Sequence, residues 1–193
     1  MATPPTFTAG SILTAAQINA VGMWKVGTFT ASGSASSLVC DNVFTTDFEN
    51  YLVVLRLNAV SQLNGLFFQY LDTAGSTVTS GYYSSTYGQD FASNGATGFT
   101  TQYTTAAVYC GWLPNSGGGA SALGTTMSIY GPRLSTIATS VTGQFTGIRS
   151  GAAFLGGNVL AQMTNSTAHR GIRFGNDGNT NLSGKVTIYG YNI

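Results

Sequence analysis

The sequence predicts an all-β fold, a β-sandwich of the jelly-roll type preceded by a short helical or extended docking segment. From Lys25 onward, bulky residues alternate with small or polar ones at a period of two, as they do along strands whose two faces differ. Glycine and asparagine separate these runs. About ten short strands joined by turns are typical of a sandwich. We therefore divide the chain into an N-terminal docking segment, residues 1–24, and a sandwich domain, residues 25–193.

The N-terminal segment has the pattern of a short helix. Thr14-Ala15-Ala16-Gln17 matches a capping box, in which the Thr hydroxyl and the Gln side chain satisfy free backbone donors at the helix start. Ile18 and Val21 form one apolar stripe, and Gly22 can end the helix. Because a helix of about nine residues is not stable alone in water, we expect this segment to dock on another surface.

Ten runs of the sandwich domain have strand character. The run Tyr51–Leu55 is continuously apolar, so we expect a central strand that is covered on both faces. Asn64-Gly65 and Asp177-Gly178 predict hairpin turns of type I′, since both central residues of such a turn need a positive φ. The predicted strands are residues 25–30, 38–44, 51–59, 66–71, 101–113, 126–130, 137–148, 153–163, 171–174 and 185–191.

Charge is scarce along the whole chain. Charged residues make up 7% of the sequence, against roughly 25% in an ordinary soluble domain, and the formal net charge is +1. A surface with so little self-repulsion tolerates close packing, so we expect a homo-oligomer. A near-neutral chain does not attract a polyanion, so we expect no nucleic-acid ligand. The sequence has neither an apolar stretch of membrane-spanning length nor a signal-peptide pattern, and we expect no membrane insertion and no secretion signal.

Residues suited to catalysis or metal binding are few. His169 is the single histidine, and its turn-like setting predicts a position on a surface loop. Asp47 and Glu49 could share one face of an extended segment, as paired carboxylates do, but their neighbours favour a polar turn before the central strand. We expect no catalytic residues, no metal site and no cofactor. Cys40 and Cys110 lie in apolar, strand-like surroundings; two buried thiols are our interpretation, and a disulfide is the alternative.

Two groups of side chains are candidates for contact with partners. Aromatic rings among small polar residues suit a contact surface or a carbohydrate platform, unless they pack beneath a long loop. Arginines suit ion pairs with carboxylates across a subunit interface, unless they are simply exposed. The aromatic candidates are Tyr82, Tyr83, Tyr87, Phe91 and Phe99, and the arginine candidates are Arg149, Arg170 and Arg173.

Three motifs resemble those of structural proteins of tailed-bacteriophage virions. Residues 7–19, FTAGSILTAAQIN, are similar to an opening pattern "F-x-A-G-x-x-L-T-A-A-x-x-N" in that group. Phe48-Glu49-Asn50-Tyr51 before an apolar strand also fits, as does the ending Val186-Thr187-Ile188-Tyr189-Gly190-Tyr191, which resembles "I-x-L-Y-G". Together the motifs cover about a fifth of the chain.

The resemblance implies a protein made in the host cytoplasm and incorporated into the virion, with the β-domain projecting from it, often as a trimer. The front segment then docks on other virion proteins, through its apolar residues Phe7, Ile12, Leu13, Ile18 and Val21. We expect a tail-fibre or receptor-binding protein whose aromatic residues reach the host surface, including its glycans. A capsid decoration or head-fibre protein is the alternative, because the chain has no repetitive shaft. A glycan-cleaving enzyme is a third, more distant hypothesis.

Overall fold

The computed structural model describes residue 10 and residues 22–59, 64–92, 95–101, 106–113, 123–149 and 153–192. Within these residues the chain forms twelve strands and no helix, and so none that is long and apolar enough to cross a membrane. The strands are β1 (Trp24–Ser32), β2 (Ser37–Cys40), β3 (Asn50–Ala59), β4 (Asn64–Asp72), β5 (Tyr82–Ala92), β6 (Gly95–Thr101), β7 (Val108–Leu113), β8 (Leu123–Tyr130), β9 (Ser140–Arg149), β10 (Ala153–Met163), β11 (His169–Asn176) and β12 (Leu182–Tyr191).

The strands form two antiparallel sheets with a jelly-roll topology. One sheet has the order β1-β12-β3-β8-β9-β10-β5-β6, and the other has the order β2-β11-β4-β7. Four nested pairs, β1 with β12, β2 with β11, β3 with β8 and β4 with β7, alternate between the sheets. This nesting is the double Greek key of a jelly roll. The remaining strands, β9, β10, β5 and β6, extend the larger sheet beyond the basic eight. The predicted all-β sandwich is therefore confirmed.

The core lies between the two sheets and follows the period of two along each strand. In β8, every second side chain is buried and the residues that alternate with these face outward. The buried side chains are Leu123, Thr125, Met127 and Ile129. The facing strands of the smaller sheet contribute Phe68 and Phe174, whose rings lie 6.3 Å apart. Burial of each such side chain contributes about 1.5–3 kcal/mol, which offsets the conformational entropy lost on folding.

The apolar run in β3 is covered on one face only. β3 lies inside the larger sheet, between β12 and β8, as a central strand should. However, Val54 is 40% exposed and Arg56 is exposed, so the prediction of a strand covered on both faces is wrong. The reason is that the smaller sheet packs on the inner side of the larger sheet, and the described residues place no second layer on its outer side.

Neither of the two predicted hairpin turns connects adjacent antiparallel strands of one sheet. Asn64 and Gly65 are the first residues of β4, where Gly65 pairs with Trp112. An alanine Cβ at Gly65 would lie 2.7 Å from Cε1 of Tyr109, so glycine is needed there for close approach and not for a turn. Asp177 and Gly178 do form a turn, but it connects strands in different sheets. The positive φ in that region belongs to Asn179, at 49°.

The aromatic stretch, for which no strand was predicted, consists of two strands, β5 and β6. In β5, two of the inward-facing residues carry hydroxyl groups, and these donate to backbone carbonyls of the neighbouring segment. Thr86 Oγ1 donates to the carbonyl of Tyr109 at 2.7 Å, and Ser84 Oγ donates to the carbonyl of Ala107 at 3.3 Å. Because these buried positions are hydroxylated, the chain there lacks the apolar alternation that predicts a strand.

The two cysteines are free and buried. Cys40 lies in β2 and Cys110 in β7, the two edge strands of the four-stranded sheet. Three strand spacings separate these edges by about 14 Å, well beyond the roughly 7 Å that a disulfide allows between Cα atoms. The interpretation as buried thiols is confirmed and the disulfide alternative is wrong. Burial raises the pKa of the Cys40 thiol to about 12 and raises that of Cys110 as well.

We expect neither thiol to react with a disulfide reagent in the native protein, because buried thiols with raised pKa values are not accessible as thiolates. Titration with Ellman's reagent should give no rapid reaction in native buffer and two reactive thiols per chain in guanidinium chloride. Rapid reaction of one thiol without denaturant would show that an edge strand opens.

The predicted docking segment falls almost entirely outside the described residues, although β1 already begins at Trp24. Its helical conformation and its division from the sandwich stay predictions. So do the docking roles of its apolar residues, which are Phe7, Ile12, Leu13, Ile18 and Val21.

Candidate binding face

Across β8, β9 and β10, the outer face of the eight-stranded sheet is a broad surface of neutral side chains. Successive side chains of a strand point to opposite faces of the sheet. The residues between the buried core positions of β3, β8, β9 and β10 therefore point away from the smaller sheet. Strand register places one row of them side by side across the sheet. This row is Tyr87, Asn158, Gln144, Thr126 and Val54.

Two shallow depressions on this face form one continuous groove. The first, of about 370 Å³, lies between Tyr87, Asn158, Gln144 and Thr126. The second, of about 500 Å³, lies beside Tyr83. Both are bordered by Thr142 and Leu160. We call the combined depression the outer groove, and its lining residues are Tyr83, Ser84, Ser85, Tyr87, Thr126, Ser128, Ser140, Val141, Thr142, Gly143, Gln144, Asn158, Leu160, Ala161 and Gln162.

The outer groove offers two kinds of contact. Tyr83 and Tyr87 are 50% and 46% exposed, and Leu160 between them in the register is 46% exposed, so apolar surface is available along β5 and β10. Asn158 and Gln144 lie opposite each other on β10 and β9, and each amide can both donate and accept hydrogen bonds. No lining residue carries a charge.

The aromatic candidates divide between the two faces of β5. Tyr83 and Tyr87 border the outer groove. Tyr82 is fully buried, so its prediction as a contact residue is wrong: adjacent strand residues point to opposite faces. Its hydroxyl donates to the carbonyl of Val78 at 3.0 Å and accepts the N–H of Tyr70 at 2.9 Å. The side chains of two further candidates, Phe91 and Phe99, lie outside the described part of the structure.

The arginine candidates are held largely within their own chain. Arg170 forms a two-pronged ion pair with Asp41 of its own chain, in which Nε lies 2.7 Å from Oδ1, and its role at a subunit interface stays a prediction. The hydrogen bonds from Arg170 lower the pKa of Asp41. Arg173 Nη1 donates to Oε1 of Gln69 at 2.9 Å, and its role at a subunit interface stays a prediction. The side chain of Arg149 is outside the described residues.

His169 is not on a surface loop, contrary to the prediction. It begins β11, is fully buried, and stacks on Tyr70 with ring centroids 4.5 Å apart. Neither ring nitrogen has a hydrogen-bond partner among the residues that the structure describes. Burial lowers its pKa to about 4, so the ring is neutral at ordinary pH. Without a bonded carboxylate or hydroxyl, His169 is not arranged as a general base.

The paired-carboxylate candidates, Asp47 and Glu49, lie in a turn whose hydrogen bonds are local or to the C-terminal region. Asp47 lies in the predicted turn before β3, where it accepts a hydrogen bond from Thr45 Oγ1, and the N–H of Glu49 bonds to Asn192 Oδ1. Among described residues, no group of three His, Cys, Asp or Glu side chains is close enough to hold a metal ion.

Sequence reasoning missed most of the outer groove. Asn158, Gln144 and Thr142 are ordinary outward-facing residues in predicted strands, and nothing in the sequence says that those strands are neighbours. The same holds for Arg56 and Lys185, which the register of β3 and β12 places directly opposite each other. Their alternation with buried residues predicts that they are exposed, but it does not predict that they are neighbours.

Comparison with protein-family models, with curated proteins and with solved structures found no match to this chain. The chemistry of the outer groove must therefore be inferred from its own residues.

Proposed function

We propose that this chain is a structural protein of a bacteriophage virion, of the projecting tail-fibre or receptor-binding type, and that it contacts its receptor through the outer groove. The observation that carries the proposal is the groove itself, in which two half-exposed tyrosines border a row of uncharged amide and hydroxyl side chains. The phage-like motifs at both ends of the chain supply the virion context.

The groove is suited to binding a surface without chemical change. Tyr83 and Tyr87 supply large amphipathic rings that lose little conformational entropy when they bind. Strand pairing holds their backbone in place, because both residues pair with β10 and the part of β5 that includes Tyr87 also pairs with β6. Asn158 and Gln144 add hydrogen bonds that fix the orientation of a ligand. A receptor with both apolar faces and many hydroxyls, such as a glycan on the host surface, fits this combination.

The groove residues argue against the glycan-cleaving alternative. A glycosidase needs two carboxyl groups on either side of the scissile bond. The residues that line the outer groove include no Asp, Glu or His. Binding without cleavage is therefore the proposed activity.

A capsid decoration or head-fibre protein remains the second candidate. One observation favours it: all described strands belong to a single two-sheet sandwich, and no repetitive shaft extends from it in the described ranges. A homotrimer that docks on other virion proteins through its N-terminal segment is part of both proposals. Gold labelling of purified particles with an antibody against the chain distinguishes the tail from the capsid surface.

Replacement of Tyr87 or Tyr83 by alanine is expected to weaken receptor binding by roughly 10- to 100-fold, because central aromatic residues dominate the energy of such contacts. The full chain and its variants are tested against a panel of bacterial cells and of isolated surface polysaccharides. Val39→Ala is the control, since Val39 is 48% exposed on the other sheet. Equal binding by Tyr87→Ala and the unmodified chain would remove the groove from the proposal.

A further inference from the structure

Two positively charged side chains, Arg56 and Lys185, lie beside the outer groove, and we call them the cation pair. Arg56 and Lys185 are directly opposite each other on β3 and β12, and both side chains are exposed on the outer face. Neither forms a hydrogen bond or ion pair with any residue that the structure describes. The next positions in the same row are Thr30, opposite Lys185, and Gly124, opposite Arg56, so no carboxylate separates or flanks the two charges in the register.

This arrangement is unfavourable for the isolated protein. Like charges directly opposite each other on antiparallel strands are destabilising. The chain has only seven basic residues, and five of its eight larger-sheet strands carry one charged residue each, so the adjacency is not forced by an abundance of charge. An anion bound between the two side chains would convert the repulsion into attraction.

The cation pair is close enough to the outer groove for one extended ligand to contact both. Arg56 lies two residues along β3 from Val54, and Val54 is opposite the groove residue Thr126. Diagonal neighbours of this kind are about 7–8 Å apart. From β3 to Tyr87 on β5 there are four strand spacings, or about 19 Å. A ligand that occupies both positions must be an extended chain.

A second copy of the protein is a poor source of the anion, because at least three of its six acidic side chains are already engaged. Asp41 pairs with Arg170, and Asp177 accepts the hydroxyl of Tyr109. Asp72 accepts the backbone N–H groups of two residues in the following turn. A chain with six acidic residues has little negative charge left to offer this face.

We propose that the outer groove and the Arg56–Lys185 pair together bind an acidic polysaccharide. Neutral sugar rings lie along Tyr87, Asn158 and Gln144, and a carboxylate or phosphate group of the same chain lies between the two cations. This inference rests on the proposed function, since it specifies the class of glycan that the groove binds.

The test is a binding assay of the full chain on an array of bacterial surface polysaccharides that includes neutral, uronate-containing and phosphate-containing polymers. We expect binding to acidic polymers, weakened on the order of 5- to 10-fold by either Arg56→Gln or Lys185→Gln and weakened by added salt. Lys25→Gln removes the same charge at the edge of the same sheet and should leave binding unchanged. Comparison of the uronate and phosphate polymers identifies the anionic group.

The outcomes separate this inference from the proposed function. Two results would contradict the acidic ligand and leave the proposed binding at the outer groove intact. In the first, Tyr87→Ala abolishes binding but Arg56→Gln and Lys185→Gln do not affect it. In the second, only neutral polymers bind. If no glycan binds at all, both fail. Denaturant unfolding of the two Gln variants should show a free energy of unfolding equal to or above that of the unmodified chain, because a like-charge contact has been removed. A lower free energy of unfolding would show that the pair has a structural role instead.

Discussion

Gly157→Ala is expected to destabilise the sandwich by about 3 kcal/mol or more, because the added methyl group has no space. An alanine Cβ at this position would lie 2.2 Å from the carbonyl oxygen of Tyr87 and 2.7 Å from Cα of Gly88. Both contacts are with the backbone of β5, which cannot move without loss of its pairing with β10. The groove wall that carries Tyr87 should be lost together with the stability.

Gly156→Ala is the matched control for this prediction. A Cβ on Gly156 would have its nearest neighbour at 3.6 Å, an ordinary van der Waals contact. We expect its free energy of unfolding to remain within about 1 kcal/mol of the original. Chemical denaturation of both variants gives the comparison, and equal stability of the two would mean that β5 and β10 are not packed as described.

Acid is expected to weaken the fold through His169, with the loss spread between pH 6.5 and pH 4. The pKa of the buried ring is about 4, below its ordinary value of 6.5. The unfolded chain therefore takes up a proton in this range while the folded chain does not, so stability falls as the pH decreases. A difference of about 2.5 pKa units corresponds to about 3 kcal/mol. The full loss is reached below pH 4.

His169→Phe isolates this contribution from that of the carboxylates. Phenylalanine preserves the stacking on Tyr70 and removes two ring nitrogens that lack partners among the described residues. Its free energy of unfolding at pH 7 should equal or exceed that of the unmodified chain. Urea denaturation at pH 7 and pH 4 should show a smaller acid loss in the variant by about 3 kcal/mol. The same acid loss in both proteins would show that His169 is not buried as a neutral ring.

The strands with a clear alternation could be predicted from the sequence. Residues 153–163 coincide with β10, and the predicted strand 185–191 lies within β12. In both, the buried apolar residues, such as Val159 in β10 and Val186 and Ile188 in β12, fall on one face of the strand, and this local pattern is enough to identify them. The jelly-roll architecture followed from the number and spacing of such strands.

The predicted strands left out the whole of β5 and the first residues of β11, for two different reasons. In β5, Tyr82, Ser84 and Thr86 face inward and satisfy their hydroxyl groups with hydrogen bonds, so a polar stretch became a buried strand. In β11, His169 is a polar residue whose burial depends on stacking against Tyr70, which lies far away in the sequence. Tertiary contacts decide such positions, and local propensity does not reveal them.

The binding face could not be predicted because it depends on strand order. Tyr87 and Gln144 belong to the same groove only because β10 lies between β5 and β9. Arg56 and Lys185 are likewise neighbours only through the pairing of β3 with β12. The sequence predicted the aromatic residues that border the groove from their composition alone, and it could not separate Tyr83 and Tyr87 from the buried Tyr82.

The central claim is that the outer groove is the surface that binds a receptor. It is tested most directly by amide hydrogen exchange of the full chain, alone and with the polysaccharide that binds best on the array. We expect added protection along β5, β10, β9 and β8 and unchanged exchange in β2, β11, β4 and β7. Protection confined to the four-stranded sheet, with none along β5 and β10, would contradict the claim.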